Sequence, residues 1–67
     1  MKFSFGDRIY LKVPAYGLKR DSVGLVVDEE PDFIEVRIEG YPHAIPMTQA
    51  KANALLEHLP RDLAERA

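Results

Sequence analysis

The sequence predicts a mainly β fold, a small closed barrel of about five short antiparallel strands followed by a C-terminal α-helix. Three observations carry this expectation. Two segments alternate apolar and polar residues strictly, at the period of a half-buried strand. Turn-forming residues separate short β-branched runs. Near Thr48 the apolar period lengthens to that of a helix. A chain of 67 residues holds one domain at most. The expected organisation is a barrel over residues 1–47 and a helical segment over 48–67 that packs on the barrel or on a partner.

The first strand is Arg8-Ile9-Tyr10-Leu11-Lys12-Val13. Ile9, Leu11 and Val13 point one way, Arg8, Tyr10 and Lys12 the other. Pro14 ends it, because proline has no N–H for the ladder. Residues 14–22 then read as a polar loop with a glycine and a basic pair. Val23-Gly24-Leu25-Val26-Val27 is the second strand, and Gly24 inside it signals a bulge or a close backbone approach. Asp28-Glu29-Glu30-Pro31-Asp32 reads as a turn. Phe33 to Glu39 alternates again, with Ile34, Val36 and Ile38 inward. Gly40-Tyr41-Pro42 turns the chain into His43-Ala44-Ile45-Pro46-Met47, which Pro46 confines to an edge or a strand end. Thr48 suits a helix N-cap. Ala52, Leu55, Leu56 and Leu59 fall at i, i+3, i+4 and i+7, the stripe of an amphipathic helix. Pro60 interrupts that helix, and the tail beyond it, with Leu63, reads as frayed or as a separate short helix.

Composition narrows the partners. The chain is 46% hydrophobic with a net charge of -2, which excludes wholesale disorder. Nine basic residues against eleven acidic ones disfavour sequence-blind binding to a phosphate backbone. The absence of cysteine removes disulfide scaffolds, thiol chemistry and zinc ribbons together. No apolar run matches a signal peptide or a membrane span, so a cytoplasmic location is expected. A chain of this size buries only about 60% of the surface its unfolded form exposes. An efficient core or a partner chain is therefore expected.

Three stretches together resemble the SH3-like barrels, and within them the KOW-type pattern. They are Gly6-Asp7-Arg8-Ile9-Tyr10-Leu11, Ser22-Val23-Gly24-Leu25-Val26-Val27 and Ile34-Glu35-Val36-Arg37-Ile38. The resemblance spans residues 5 to 47. It implies a five-stranded barrel and a binding role on proteins or nucleic acids. The opening Phe3-Ser4-Phe5-Gly6-Asp7-Arg8-Ile9 is also similar to the start of the type II dihydrofolate reductases, which are small SH3-like barrels. Their pore strand carries Val-Gln-Ile-Tyr, whereas this chain reads His43-Ala44-Ile45-Pro46-Met47, so no functional residue transfers.

Candidate contact residues follow from the strand phases. Arg8, Tyr10 and Lys12 line the outward face of the first strand; Tyr16, Lys19 and Arg20 stand in the loop after it; Arg37 faces outward on the third. Basic residues among aromatics suit base stacking and phosphate contact. Asp7, Asp21, Glu35 and Glu39 on or beside the same surface oppose a polyanion. The blander reading is a solvated mixed-charge face or a protein contact. Phe33 and Tyr41 are candidate aromatic anchors for a protein partner, with packing of Tyr41 over the barrel end as the alternative. The run from Asp28 to Asp32 reads as a polar hairpin turn before it reads as a docking site for a basic partner. His43 and His58 lack companions at metal-ligand spacing, and Ser22 and Thr48 sit in turn and cap contexts without a base beside them. Neither a catalytic residue nor a cofactor is expected. Leu55, Leu56 and Leu59 form either a cap over the barrel or the seam of a homodimer. The function expected is a non-enzymatic accessory or regulatory protein that docks on a larger protein complex, as a monomer or a homodimer. A KOW-type nucleic-acid-binding module is the alternative, and an enzyme like the type II dihydrofolate reductases a remote one.

Overall fold

A computed structural model describes residues 2–60. Five antiparallel strands form one sheet: β1 (Arg8–Leu11), β2 (Val23–Glu29), β3 (Ile34–Ile38), β4 (Ile45–Met47) and β5 (Leu56–His58). One short helix, α1 (Gln49–Leu55), sits between β4 and β5. The strand order is β4-β3-β2-β1-β5. Ile9, Leu11, Val26, Ile34, Val36, Ile38, Ile45, Met47 and Leu56 all bury the same face of that sheet, joined by Phe3 and by Ala52 of α1. A single sheet that buries one face against itself must curl, and the arrangement is compatible with a small barrel-like fold. No polar or charged residue is buried among the described residues, so the interior carries no hydrogen-bonding debt.

The alternation in β1 and β3 is realised as expected, with Ile9, Leu11, Ile34, Val36 and Ile38 inside. Val13 is the exception. It lies beyond the end of β1 and is exposed, because the chain bends away after Leu11. Gly24 is a close backbone approach. A Cβ placed there would lie 2.4 Å from the Arg37 carbonyl oxygen and 3.1 Å from Ile9 Cδ1. Only glycine lets β2 cross so tightly between β1 and β3. β2 continues through Asp28 and Glu29, which the sequence placed in the turn. The register with β3 shifts between Val26 and Asp28. This irregularity carries β2 past its apolar run into two acidic residues. The actual turn is closed by Glu30 N–H donating to the Phe33 carbonyl at 2.8 Å. Pro46 stands exposed on the edge strand β4, where it interrupts no ladder.

The helical stripe is corrected. α1 has seven residues and ends at Leu55; Leu56 is already extended at φ -117 and ψ 155. Thr48 caps its start, its Oγ1 accepting from Lys51 N–H at 3.1 Å. Leu56, Glu57 and His58 then pair with Leu11, Tyr10 and Ile9 of β1. The unpaired edge of β1 supplies main-chain partners that a short isolated helix cannot match. Leu56 is 1% exposed in the core, Leu55 packs against that core, and Leu59 lies half-buried after β5. The three leucines therefore share no helix face, and Leu56 offers no surface for a dimer seam. Residues 48–58 supply the helix and the fifth strand, while Ile45–Met47 supplies the fourth. The expectation for the tail with Leu63 lies outside the described residues.

The N-terminal segment is tied in by side chains. Gln49 donates through Nε2 to the Phe3 carbonyl at 2.7 Å and accepts from Phe3 N–H at 2.9 Å. This reciprocal pair imitates a ladder and holds Phe3 in the core. The Ser4–Asp7 turn is closed by Asp7 N–H to the Ser4 carbonyl at 3.0 Å, and Asp7 Oδ2 accepts from Ser4 N–H at 2.9 Å.

Candidate functional site

The cross-strand register sets the outer face of β1, β2 and β3. Arg8 pairs with Leu25, and Leu25 pairs with Arg37. One row across the sheet therefore reads Arg37-Leu25-Arg8, and Leu59 N–H continues it by donating to the Arg8 carbonyl at 2.9 Å. Two residues along each strand, side chains return to the same face. Tyr10 pairs with Val23 and with Glu57, and Glu39 N–H donates to the Val23 carbonyl at 2.9 Å. The neighbouring row therefore reads Glu39-Val23-Tyr10-Glu57. A basic row lies beside an acidic row, with Leu25 and Val23 adjacent at the centre.

Val23 and Leu25 are each 39% exposed. Among the described residues, neither Arg8 nor Arg37 has an ion-pair partner. Their guanidinium groups stand free on either side of Leu25. Two shallow depressions, of about 280 and about 350 Å³, follow the same face. Val23 and Leu59 border both. Tyr10, Asp21 and Pro60 complete the first, and Arg8, Gly24, Leu25, Arg37 and Glu39 the second.

Of the contact residues expected from sequence, the fold brings Arg8, Tyr10 and Arg37 together here. Lys12 is exposed just beyond β1. Lys19 and Arg20 are exposed in the loop, and Arg20 Nε reaches only Asp21 Oδ2 at 3.9 Å. Phe33 is exposed at the β2–β3 turn, at the opposite end of that hairpin from Arg37 and Glu39.

Tyr16 and Tyr41 form a separate cluster. The loop of residues 14–22 contains a tight hairpin: Ala15 and Leu18 exchange main-chain hydrogen bonds of 3.3 and 2.8 Å around Tyr16 and Gly17. Both central residues have positive φ, 55° and 75°, as this two-residue turn requires. Asn or Gly ordinarily fills the first of these positions. Here a tyrosine occupies it, and its ring meets the edge of Tyr41 at 5.9 Å between centroids. Lys51 Nζ lies 5.7 Å from the Tyr16 centroid, a cation–π distance. His43 meets Tyr41 at 6.4 Å. Both tyrosines also pack against the core, so Tyr41 covers the sheet as well as facing its neighbours.

Some features carry no signal in the local sequence pattern. Val23 and Leu25 show no common face there, because Gly24 between them breaks the alternation. His58 Nε2 lies 2.9 Å from Asp7 Oδ2, and the His58 ring stacks on Phe3 at 4.3 Å with planes 7° apart. These groups are 51 residues apart in sequence, and only the pairing of β5 with β1 joins them. The hydroxyls sit as expected: Ser22 Oγ donates to the Lys19 carbonyl at 2.7 Å, and Thr48 caps α1. Among the described residues no three His, Asp or Glu side chains gather as a metal site, and no helix is long and apolar enough to cross a membrane.

Comparison with known proteins found no matching family model, curated protein or solved structure.

Proposed function

We propose that this chain is a non-catalytic protein-binding module of SH3-like architecture, and that the outer face of β1, β2 and β3 is its contact surface. The strand order β4-β3-β2-β1-β5, with one short helix before the last strand, supports the architectural part. The observation that carries the functional part is the exposed Leu25 between two unpaired arginines. Apolar centres framed by arginine are the composition of a protein contact. The adjacent acidic row argues against a polyanionic ligand, because Glu39 and Glu57 would face the same phosphates.

The test is affinity capture from the native host with the whole chain and with Leu25→Asp. A stoichiometric partner held by the natural sequence and released by Leu25→Asp is the expected result. A partner held equally by both, or neither a host protein nor a second copy of the chain held under gentle conditions, overturns the reading. Titration with single- and double-stranded nucleic acid at low salt is expected to be flat. Saturable binding abolished by Arg8→Glu would instead favour the nucleic-acid module.

A further inference from the structure

The two rows on the outer face are self-complementary. Taken strand by strand, β3 contributes Arg37 and Glu39, β2 contributes Leu25 and Val23, and β1 contributes Arg8 and Tyr10. In each pair the first member lies in the basic row and the second in the acidic row. A two-fold axis in the plane of contact, lying between the rows and running across the strands, exchanges the rows while keeping each strand opposite its own copy. Arg37 then lies over the partner's Glu39, Leu25 over the partner's Val23, and Arg8 over the partner's Tyr10. The symmetry makes every contact twice.

We infer that the occupant of this face is a second copy of the chain, in an isologous dimer built on these two rows. The inference rests on the reading of the face as protein-binding and supplies its partner. Charge complementarity is the argument. A face selected to meet a basic or an acidic partner would carry one sign of charge, whereas this face carries both signs in separate adjacent rows. The two arginines that find no acid within their own chain meet one carboxylate and one tyrosine ring across the two-fold. Leu25 and Val23, exposed in a single copy, cover each other at the centre. The convex sheet leaves the contact small, so the dimer is expected to be weak and salt-sensitive.

The experiment is sedimentation velocity of the full chain over about 1 μM to 1 mM, at low and at high salt. The natural sequence is expected to pass from monomer to dimer across this range, with weaker association at high salt. Arg37→Glu places two negative charges together twice per dimer, and Glu39→Arg places two positive charges together twice. Each variant alone is expected to associate at least about tenfold more weakly. An equimolar mixture of the two restores the pairing, because each strand then meets its opposite charge. The double variant Arg37→Glu/Glu39→Arg restores it within one sequence. Both substitutions lie on an exposed face, and thermal melts check that each variant stays folded.

A natural sequence that remains monomeric throughout overturns the dimer. So does a dimer indifferent to both single reversals, since its interface would lie elsewhere. If the natural sequence is monomeric while Leu25→Asp still releases a host partner, the binding face stands and only the self-pairing falls. If neither association nor capture occurs, both fall.

Discussion

On the inner face of β1, β2 and β3, Ile9, Val26, Val36 and Ile38 are each at most 2% exposed. On the outer face of the same strands, Arg8, Val23, Leu25 and Arg37 stand in solvent. The inner pattern has one cause, which is exclusion of water from a small core. Each of those side chains contributes about 1.5–3 kcal/mol by being buried, and any polar atom among them would be costly. The outer pattern has no such cause. A strand needs only β-compatible residues facing solvent, and threonine would serve at every outer position. Charges sorted into two rows around a bare leucine and valine exceed what folding requires. The surplus is the part that points to a partner.

This contrast can be broken most sharply from the inside. Ile9→Ala is expected to cost about 2–5 kcal/mol. A chain of this length has total stability of only about 3–10 kcal/mol, so urea unfolding should show most of the cooperative transition lost or shifted to very low denaturant. A shift below about 0.5 kcal/mol, the size ordinary at a surface site, would mean the inner face is not tightly packed. Gly24→Ala comes next. Its methyl group meets main chain and cannot be accommodated by a side-chain rotation, so a cost near the upper end of about 1–3 kcal/mol is expected, read as a lower unfolding midpoint at unchanged slope. Leu25→Thr, on the outer face and cross-strand from Arg8, should stay within about 0.5 kcal/mol of the natural stability while weakening dimer formation in the ultracentrifuge. A large loss of stability there would erase the distinction between the faces.

The smallest expected effect is electrostatic. Glu29 accepts a hydrogen bond from Phe5 N–H at 3.1 Å and pairs with Lys2 Nζ at 3.3 Å. The backbone hydrogen bond first, and Lys2 second, hold its carboxyl below the usual glutamate range. A lowered folded-state value stabilises the fold above the unfolded-state pKa, and that contribution disappears as pH falls through the lowered one. The melting difference between the natural chain and Glu29→Gln should therefore shrink as the solution is acidified. The site is solvent-exposed, so the difference is small and screened by salt. A gap that stays constant with pH would assign it to packing.

Much of the inner face was legible in the sequence. Strict alternation placed Ile9, Leu11, Ile34, Val36 and Ile38 correctly, because a period of two has one phase that buries apolar residues. Gly24, Thr48 and Pro46 announced their roles through chemistry specific to glycine, a capping hydroxyl and proline. Leu55-Leu56-Glu57-His58-Leu59 did not. A short apolar run fits a helix stripe and a strand equally well, and the choice fell to the open edge of β1, which no local pattern encodes. The outer rows were hidden for a related reason. Arg8, Tyr10 and Arg37 were visible singly, but their alignment with Leu25, Val23 and Glu39 is a property of register between strands. The tight turn at Tyr16 was missed because asparagine or glycine normally marks it.

Phe3 and His58, near the two limits of the described residues, stack with ring centroids 4.3 Å apart, so the backbone from 3 to 58 is nearly circular. All four ladders join separate strands, so opening the circle within a turn leaves each of them intact. A chain in which residues 2 and 60 are bridged by a linker, and which is reopened at the exposed Asp32 between β2 and β3, keeps all four strand pairings. Such a permuted chain would also carry its new ends away from the Arg37-Leu25-Arg8 row, leaving that surface clear for labels and fusions to be placed elsewhere.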